Sequence, residues 1–458
     1  MLVAGIDSST QSTKIVLCRA DDGAILAQHS APHPEGTQID PEHWWQALTA
    51  AGASLLDRAD AIGIAAQQHA MVVLDESGQV IRPALLWNDV RSAPAAAQLI
   101  QELGGPGWWA GHTGSVPTAS FTVTKLRWLA EHEPASAARV DRVLLPHDWL
   151  NWRLAGVFAT DSGDASGTGY FSPARGHWLP EVAAAALGHA VRLPELAAPG
   201  SVAGHTAAGV PLSAGTGDNM GAALGLGVSP GEVVVSIGTS GTAYAVASAP
   251  SADQTGSVAG FCDATGRFLP LVCTMNAARV LDACAAMLGV PLPRFDALAL
   301  QAPPGAGGLT MLPYLDGERT PNRPSATGAL SGMTSTNLTP PNLARAAVEA
   351  VLCSLADALA CLVPCGVPVS SVLLTGGAAQ SAAVRAIAPA IFGVPVTVPA
   401  PAQYVALGAA RQAAWALSGL AEPPPWPRPP GPSFTADPDQ VTLARYAWIR
   451  AATATWDR

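Results

Sequence analysis

Charge is scarce in this 458-residue chain, with Asp, Glu, Lys and Arg together making up only 13% of it. The charge present leans acidic, 34 Asp+Glu against 24 Lys+Arg for a formal net of -10, and that balance repels a phosphate backbone. A nucleic-acid partner is not expected. Cysteine is also sparse: the seven are scattered, and the one close pair, Cys361 and Cys365, has no nearby His to complete a zinc set. They read as free thiols of a reducing compartment. Hydrophobic residues reach 49%, yet no uninterrupted apolar run approaches the roughly 18 residues of a bilayer span, so no membrane partner is expected either. The N-terminus lacks a basic stretch leading into an apolar one, because Asp7 interrupts it, and a cytoplasmic location follows. Two nucleotide motifs are missing as well. There is no GxxxxGK[ST], and GTGDNMG spaces its glycines differently from GxGxxG, with no acidic residue at the required distance.

At about 150 residues per domain the length implies two or three domains. The opening LVAGID, KIVLCRA and AILAQHS, separated by SSTQST and DDG, read as three consecutive antiparallel strands. Helical spacing follows in DPEHWWQALTAAGASLLDRA, then a short buried strand in AIGIAA. ELGGPGWWAGHTGSVPTAS reads as loop, FTVTKLRWLAEHEP as helix, and RVLLPHDWLNWRLAG as a strand entering a helix that glycine stops. Small residues and turns dominate up to GTGDN, which places a boundary at 208/209. VVVSIGTSGTAYAVAS then repeats the opening hairpin's design about half a chain later, as two lobes of common origin would. The second lobe, 209–421, holds the helix NLARAAVEAVLCSLADALACLV, the strand SVLLTGG, the helix SAAVRAIAPAIFG and the helix YVALGAARQAAWALSG. A Pro-rich segment and a last helix occupy 422–458.

The hairpin turns carry the chemistry. Asp7 ends a strand and is followed by Ser8, Ser9, Thr10, Gln11, Ser12 and Thr13, so one carboxylate sits beside a cluster of hydroxyl and backbone donors. Donors suit phosphate oxygens and the carboxylate suits Mg²⁺; the plainer alternative is a turn whose hydroxyls satisfy themselves. Asp218, after Gly215 and Gly217 at a helix start, is either a helix cap or a general base accepting a proton from a hydroxyl. His69 is a ligand contact or an edge residue, and Trp87 a contact or core packing.

Taken together these segments resemble the FGGY family of carbohydrate kinases, most closely its xylulokinase branch. The likeness rests on AAQQHAMVVLD with RPALLWNDVR, LLPHDWLNWRLAG with TDSGDASGTGYF, GTGDNMGAALGLG, SIGTSG, LPYLDGERTP and LLTGGAAQS, in that order. The resemblance implies an α/β chain of two actin-like ATPase (ribonuclease H-like) lobes with a cleft between them. It also implies ATP and Mg²⁺ as cofactors, a small sugar as partner, and phosphorylation of D-xylulose at C5, and is compatible with a homodimer. Carried over by residue, Asp218 is the general base and Asp7 the metal-assisting acid. Thr10, Gln11, Ser12 and Lys14 face the terminal phosphates with Gly238 and Thr239, while Gly376, Gly377 and Ala378 line the nucleoside. Gln68, His69, Trp87 and Asn219 contact the sugar, with Asp89 nearby. The chain departs from the branch at Gln68-His69-Ala70, where Met-His-Gly is usual, at His147 for Lys, and at Asn322 for His. The last two are expected to leave the chemistry untouched. Two rivals stay open: a family kinase for another ketose, a polyol or gluconate, and a nucleotide-driven switch like actin, without a small acceptor.

Overall fold

The computed structural model describes residues 1–456 and divides into two compact units. The first joins Met1–Val228, Ala247–Leu269 and Ala402–Arg428; the second joins Ser229–Val246, Pro270–Pro401 and Pro429–Arg458. Both are built on a mixed α/β plan.

The opening of the chain forms the predicted antiparallel trio β1 (Leu2–Ser8), β2 (Ser12–Arg19) and β3 (Ile25–Pro32). Val3, Ala4, Ile6, Ile15, Val16 and Leu17 are fully buried, because both faces of this part of the sheet are covered. On its other side β1 pairs in parallel with β4 (Ala61–Ala66), the buried AIGIAA run. Pro211–Ser213 and Val202–His205 complete the sheet, and Thr216–Gly217 also pairs with β4.

Two helices close the face over β1 and β4. These are α1 (Asp218–Leu226) and α2 (Tyr404–Ser418), the second arriving from the far end of the sequence. They meet backbone to backbone. A Cβ on Gly408 would lie 1.8 Å from the Gly221 carbonyl oxygen, and one on Gly225 2.0 Å from that of Tyr404. Gly5 and Gly63, directly paired across β1 and β4, likewise leave room for the α2 carbonyls of Ala406 and Ala409. Small residues here let helix and sheet approach more closely than side chains allow.

That packing explains why the domain boundaries differ from those expected at 208/209 and 421/422. The chain leaves the first unit only after Val228, and the Ala402–Arg428 segment, read as the end of the second lobe up to 421 and the start of the Pro-rich segment beyond it, covers the first unit's sheet.

In the second unit the hairpin β5 (Glu232–Ile237) and β6 (Gly241–Ala245) reproduces β1–β2. β5 pairs in parallel with β7 (Ser371–Thr375), as β1 does with β4. From Phe268–Thr274, the second of its seven strands, the sheet runs through β6, β5, β7 and Val396–Thr397 to Ser433–Phe434. The repeat read from SIGTSG is therefore one of topology as well as wording. Beside it runs the helix Pro340–Leu362, long and apolar enough to cross a bilayer, but 72% of its most apolar window is buried inside the protein.

One loop expectation is overturned. Gly105–Thr113 is a helix, with left-handed Gly104 and Gly114 at its two ends and Pro106 in its first turn. The glycines that read as loop are its caps, and buried Trp109, whose indole N–H donates to the Leu99 carbonyl, anchors it.

Candidate active site

In the first unit's sheet, strand register puts the expected residues at one edge. Asp7 lies level with Ala65 and Ala65 with Thr216; in the next row come Ser8, Ala66 and Gly217. One step further, β1 opens into the SSTQST turn, β4 into Gln67-Gln68-His69, and Gly217 into α1 with Asp218 as its first residue. Asp7, Gln68, His69, Asp218 and Asn219 thus all emerge at the carboxyl ends of parallel strands, where open α/β sheets bind ligands.

Gly217, not Asp218, is the helix cap. Asp218 Oδ1 accepts instead from the Asn219 backbone N–H at 2.8 Å and from Asn219 Nδ2 at 3.0 Å. The same Nδ2 donates to Gln68 Oε1 at 3.0 Å, so Gln68, Asn219 and Asp218 form one chain of contacts. Gln68 Nε2 is buried without a hydrogen-bond partner among the described residues. Burial, then the charges of Asp7 and Asp164, raise the Asp218 carboxyl to about 7. Asp7 is itself raised by burial, partly offset by the Ser9 hydroxyl that donates to its Oδ1 and by Lys14, 4.0 Å from Oδ2 and directly opposite in register.

Trp87 is 40% exposed, which removes the core-packing alternative. Its indole N–H donates to Thr10 Oγ1 at 2.9 Å, and the Thr10 hydroxyl donates to Gln67 Oε1 at 3.3 Å. Gln11 is exposed and Ser12 half-buried. Asp89 is taken up by Arg91 (2.8 Å) and the Thr37 hydroxyl (2.8 Å), which hold the Trp87 loop in shape.

Of the residues that support this site, Gln412 and Asp161 were not singled out in the sequence, and His147 was expected to leave the chemistry untouched. Gln412 on α2 grips the strand leading to Asp218: its Oε1 accepts from the Ser213 hydroxyl and the Gly215 N–H, and its Nε2 donates to the Gly215 carbonyl. Asp161 accepts from the Thr216 hydroxyl at 2.7 Å. His147, expected to be remote from the chemistry, is fully buried with Nδ1 2.6 Å from Asp164 Oδ2 and Nε2 3.1 Å from Asp148 Oδ1. Burial works against its charge, but Asp148 and Asp164 outweigh it and hold the imidazolium up to about 9. Since Asp164 is one of the charges that raise Asp218, His147 stands only one residue away from it electrostatically. The acid pair in TDSGDASG was the available signal.

The second unit contains a cavity of about 690 Å³ lined by Gly238, Thr239, Gly377 and Ala378 together with apolar side chains such as Leu281 and Phe295. A nucleoside fits such a volume. Gly376 does not line it; at φ +86 it packs against Ile237, where a Cβ would come within 2.6 Å of the backbone. The helix Ala382–Phe392 on the cavity wall is capped by Ser381, whose hydroxyl also donates to Asp296 at 2.7 Å. Glu318 of the GERTP loop is a buried corner, accepting from the Met275 N–H and from Asn276.

Paired-hairpin sheets of this topology, with carboxylates at the strand ends of one unit and a nucleoside-sized cavity in the other, define the actin-like ATPase fold. The chain belongs to the FGGY family of carbohydrate kinases, whose N-terminal domain signature matches residues 2–225 and whose C-terminal domain signature matches 233–417. It is 44% identical to the xylulose kinase of Streptomyces coelicolor over 98% of this chain and 95% of that one. With the xylulose kinase of Escherichia coli it shares 36% identity over 82% of each. Its fold superposes on the crystal structure of xylulose kinase from Bifidobacterium adolescentis with a TM-score of 0.93 at 43% identity, covering 98% of this chain and 99% of the other.

Proposed function

We propose that this chain transfers the γ-phosphoryl group of ATP to the C5 hydroxyl of D-xylulose, giving D-xylulose 5-phosphate and ADP. The observation that carries the chemistry is Asp218, a carboxyl raised to about 7 beside Asp7 at the strand edge. The substrate is carried by likeness to xylulose kinases along nearly the whole chain.

In this reading the C5 hydroxyl lies against Asp218, which takes its proton as the oxygen attacks phosphorus. Asn219 orients that carboxylate, and Gln68 locks Asn219 while offering its own N–H to a sugar hydroxyl. His69 contacts a second hydroxyl and the exposed Trp87 ring covers the sugar. In the first unit Thr10, Gln11, Ser12 and Lys14 are the donors for the terminal phosphates; in the second, Gly238 and Thr239 are the phosphate donors. Gly377 and Ala378 line the nucleoside, and Gly376 fixes the turn that presents them.

No three His, Cys, Asp or Glu groups gather as a protein-only metal site among the described residues. Mg²⁺ would fit at Asp7 all the same, because it binds through one or two carboxylates plus phosphate oxygens and water, and because a cation there would offset the Asp7 charge that helps to raise Asp218. When bound, Mg²⁺ would neutralise phosphate charge during transfer. Cys18, Cys262, Cys284 and Cys353 are buried free thiols, which supports placing the enzyme in the cytoplasm.

A second reading, another sugar of the same class, is favoured by one observation: the unpartnered Gln68 Nε2 adds a donor that a methionine lacks. Incubation with ATP, Mg²⁺ and a panel of D-xylulose, other ketoses, polyols and gluconate, followed by ³¹P NMR of the products, decides. Phosphorus on C5 of xylulose supports the proposal. Preference for another acceptor overturns the substrate, and nucleotide binding with no acceptor-dependent turnover overturns the class.

A further inference from the structure

The chain contains 22 arginines and only two lysines. Lys14 is the one opposite Asp7. The other, Lys125, is fully buried in the helix Thr122–His132, and the mechanism above makes no use of it. Its Nζ donates to two backbone carbonyls, those of Ser120 and His69, the latter at 3.1 Å. One turn earlier on the same helix, the Thr122 hydroxyl donates to that same His69 carbonyl, also at 3.1 Å.

His69 is held in an unusual shape. Its φ is +69°, one of two positive values at non-glycine positions among the described residues, and the Ala70 N–H donates to the Gln68 carbonyl at 2.9 Å. An i to i+2 bond around a left-handed residue is a γ-turn of the strained kind, which costs about 1–3 kcal/mol and persists only where its surroundings over-determine it. The surroundings here are specific. The His69 carbonyl takes the Lys125 and Thr122 donors, its Nδ1 lies 2.7 Å from the Gly167 carbonyl, and its ring stacks on Phe121 at 5.0 Å. Gly167 admits no side chain, because a Cβ would lie 2.6 Å from the imidazole.

We infer that Lys125 is a positioning residue for the acceptor site: with Thr122 it pins the His69 carbonyl and so holds the turn that presents Gln68 and His69 to the sugar. The inference rests on the proposal that these two side chains contact the sugar. Arginine, which supplies the other 22 of the chain's 24 Lys and Arg residues, would bring a planar fork in place of a compact ammonium that converges on two carbonyls. Burial pushes the Lys125 ammonium down to about 7, with Asp89 pulling the other way; the amine donates in either protonation state.

The test uses the full-length enzyme with Lys125→Met, Thr122→Val and, in parallel, His69→Ala, measuring KM for D-xylulose and for ATP separately. Loss of a donor from Lys125 should raise the sugar KM about 10-fold and loss from Thr122 about 3-fold, with the ATP KM within about twofold. Thr122→Val preserves shape and keeps the question answerable if Lys125→Met does not fold. With only two lysines, ¹⁵N-lysine labelling gives two side-chain signals, and the Lys125 signal should shift on adding D-xylulose without nucleotide. Unchanged sugar KM in the Lys125 and Thr122 variants, with His69→Ala impaired, overturns the clamp alone. Equal rises in both KM values reduce Lys125 to general support and also overturn it. An unaffected His69→Ala removes the sugar-site reading on which it stands.

Discussion

At Asp218 two demands on one carboxyl conflict. A general base is most effective with a pKa near the working pH, and burial beside Asp7 and Asp164 provides it by making the ionised form costly. Asp218→Asn should lower kcat by about 10²–10⁴-fold while changing ATP affinity little, as kinetics and calorimetry can check. The base acts only when ionised, so kcat/KM for the sugar should fall as pH drops below about 7. The same shift has a cost in stability. A carboxyl whose folded pKa lies above its unfolded value binds its proton more tightly in the native state, so its contribution worsens as pH rises from about 4 to about 7. Asp218→Asn should therefore raise Tm at pH 8 and lose that advantage toward pH 4; a variant less stable at pH 8 would contradict the strained-carboxylate account. Asp7 and Asp218 could be singled out in the sequence as lone acids among small or hydroxyl residues, but the base role of Asp218 came from the family resemblance, since the residues alone also allowed a helix cap. The links of Gln412 to Gly215 and of His147 to Asp164 were not legible in it, because these partners lie 197 and 17 residues away and only folding brings them together.

At the scale of elements, the delivery of Asp218 depends on how closely α2 seats on α1 and on β1–β4. Gly408→Ala would drive a Cβ to 1.8 Å from the Gly221 carbonyl oxygen, and backbone cannot rotate aside as a side chain can. The loss should be about 3 kcal/mol or more, read as a fall in the denaturation midpoint. Gln412→Leu should cost about 2–4 kcal/mol, since it leaves the buried Ser213 hydroxyl and both backbone groups of Gly215 without their amide partner. Here activity should fall further than stability alone explains, because the loosened strand carries Asp218. The helical spacing of YVALGAARQAAWALS was readable from the sequence, and so was its small-residue character. Its seat on the opposite end of the chain was not, for an alanine-glycine stripe says that something approaches closely without saying what. Gly104 and Gly114 misled for the opposite reason: a glycine that caps a helix and one that fills a loop look the same until the intervening Trp109 is seen to be buried.

Across the whole molecule, sequence order and spatial order part company. The hairpin repeat announced two related units correctly, but a linear reading assigned residues 402–421 to the second and 422–428 to a separate tail, whereas Ala402–Arg428 as a whole covers the sheet of the first. Val3, Val16, Cys18 and Ala61 form one buried cluster with Ala406, Leu407, Ala410, Ala413 and Ala414. Each buried side chain of Val or Leu size contributes about 1.5–3 kcal/mol, and a domain's net stability is only about 5–15 kcal/mol, so losing this layer exceeds what the first unit can spare. Two truncations separate the readings. A chain ending at Arg428 keeps every segment of the first unit and removes only the last part of the second. A chain ending at Pro401 also strips α2 from β1 and β4. Hydrogen exchange of the β1 and β2 amides should stay slow in the longer truncation and become fast in the shorter, although residues 1–401 contain both strands intact. If 402–428 were an appendage of the second unit, those amides would exchange equally slowly in both.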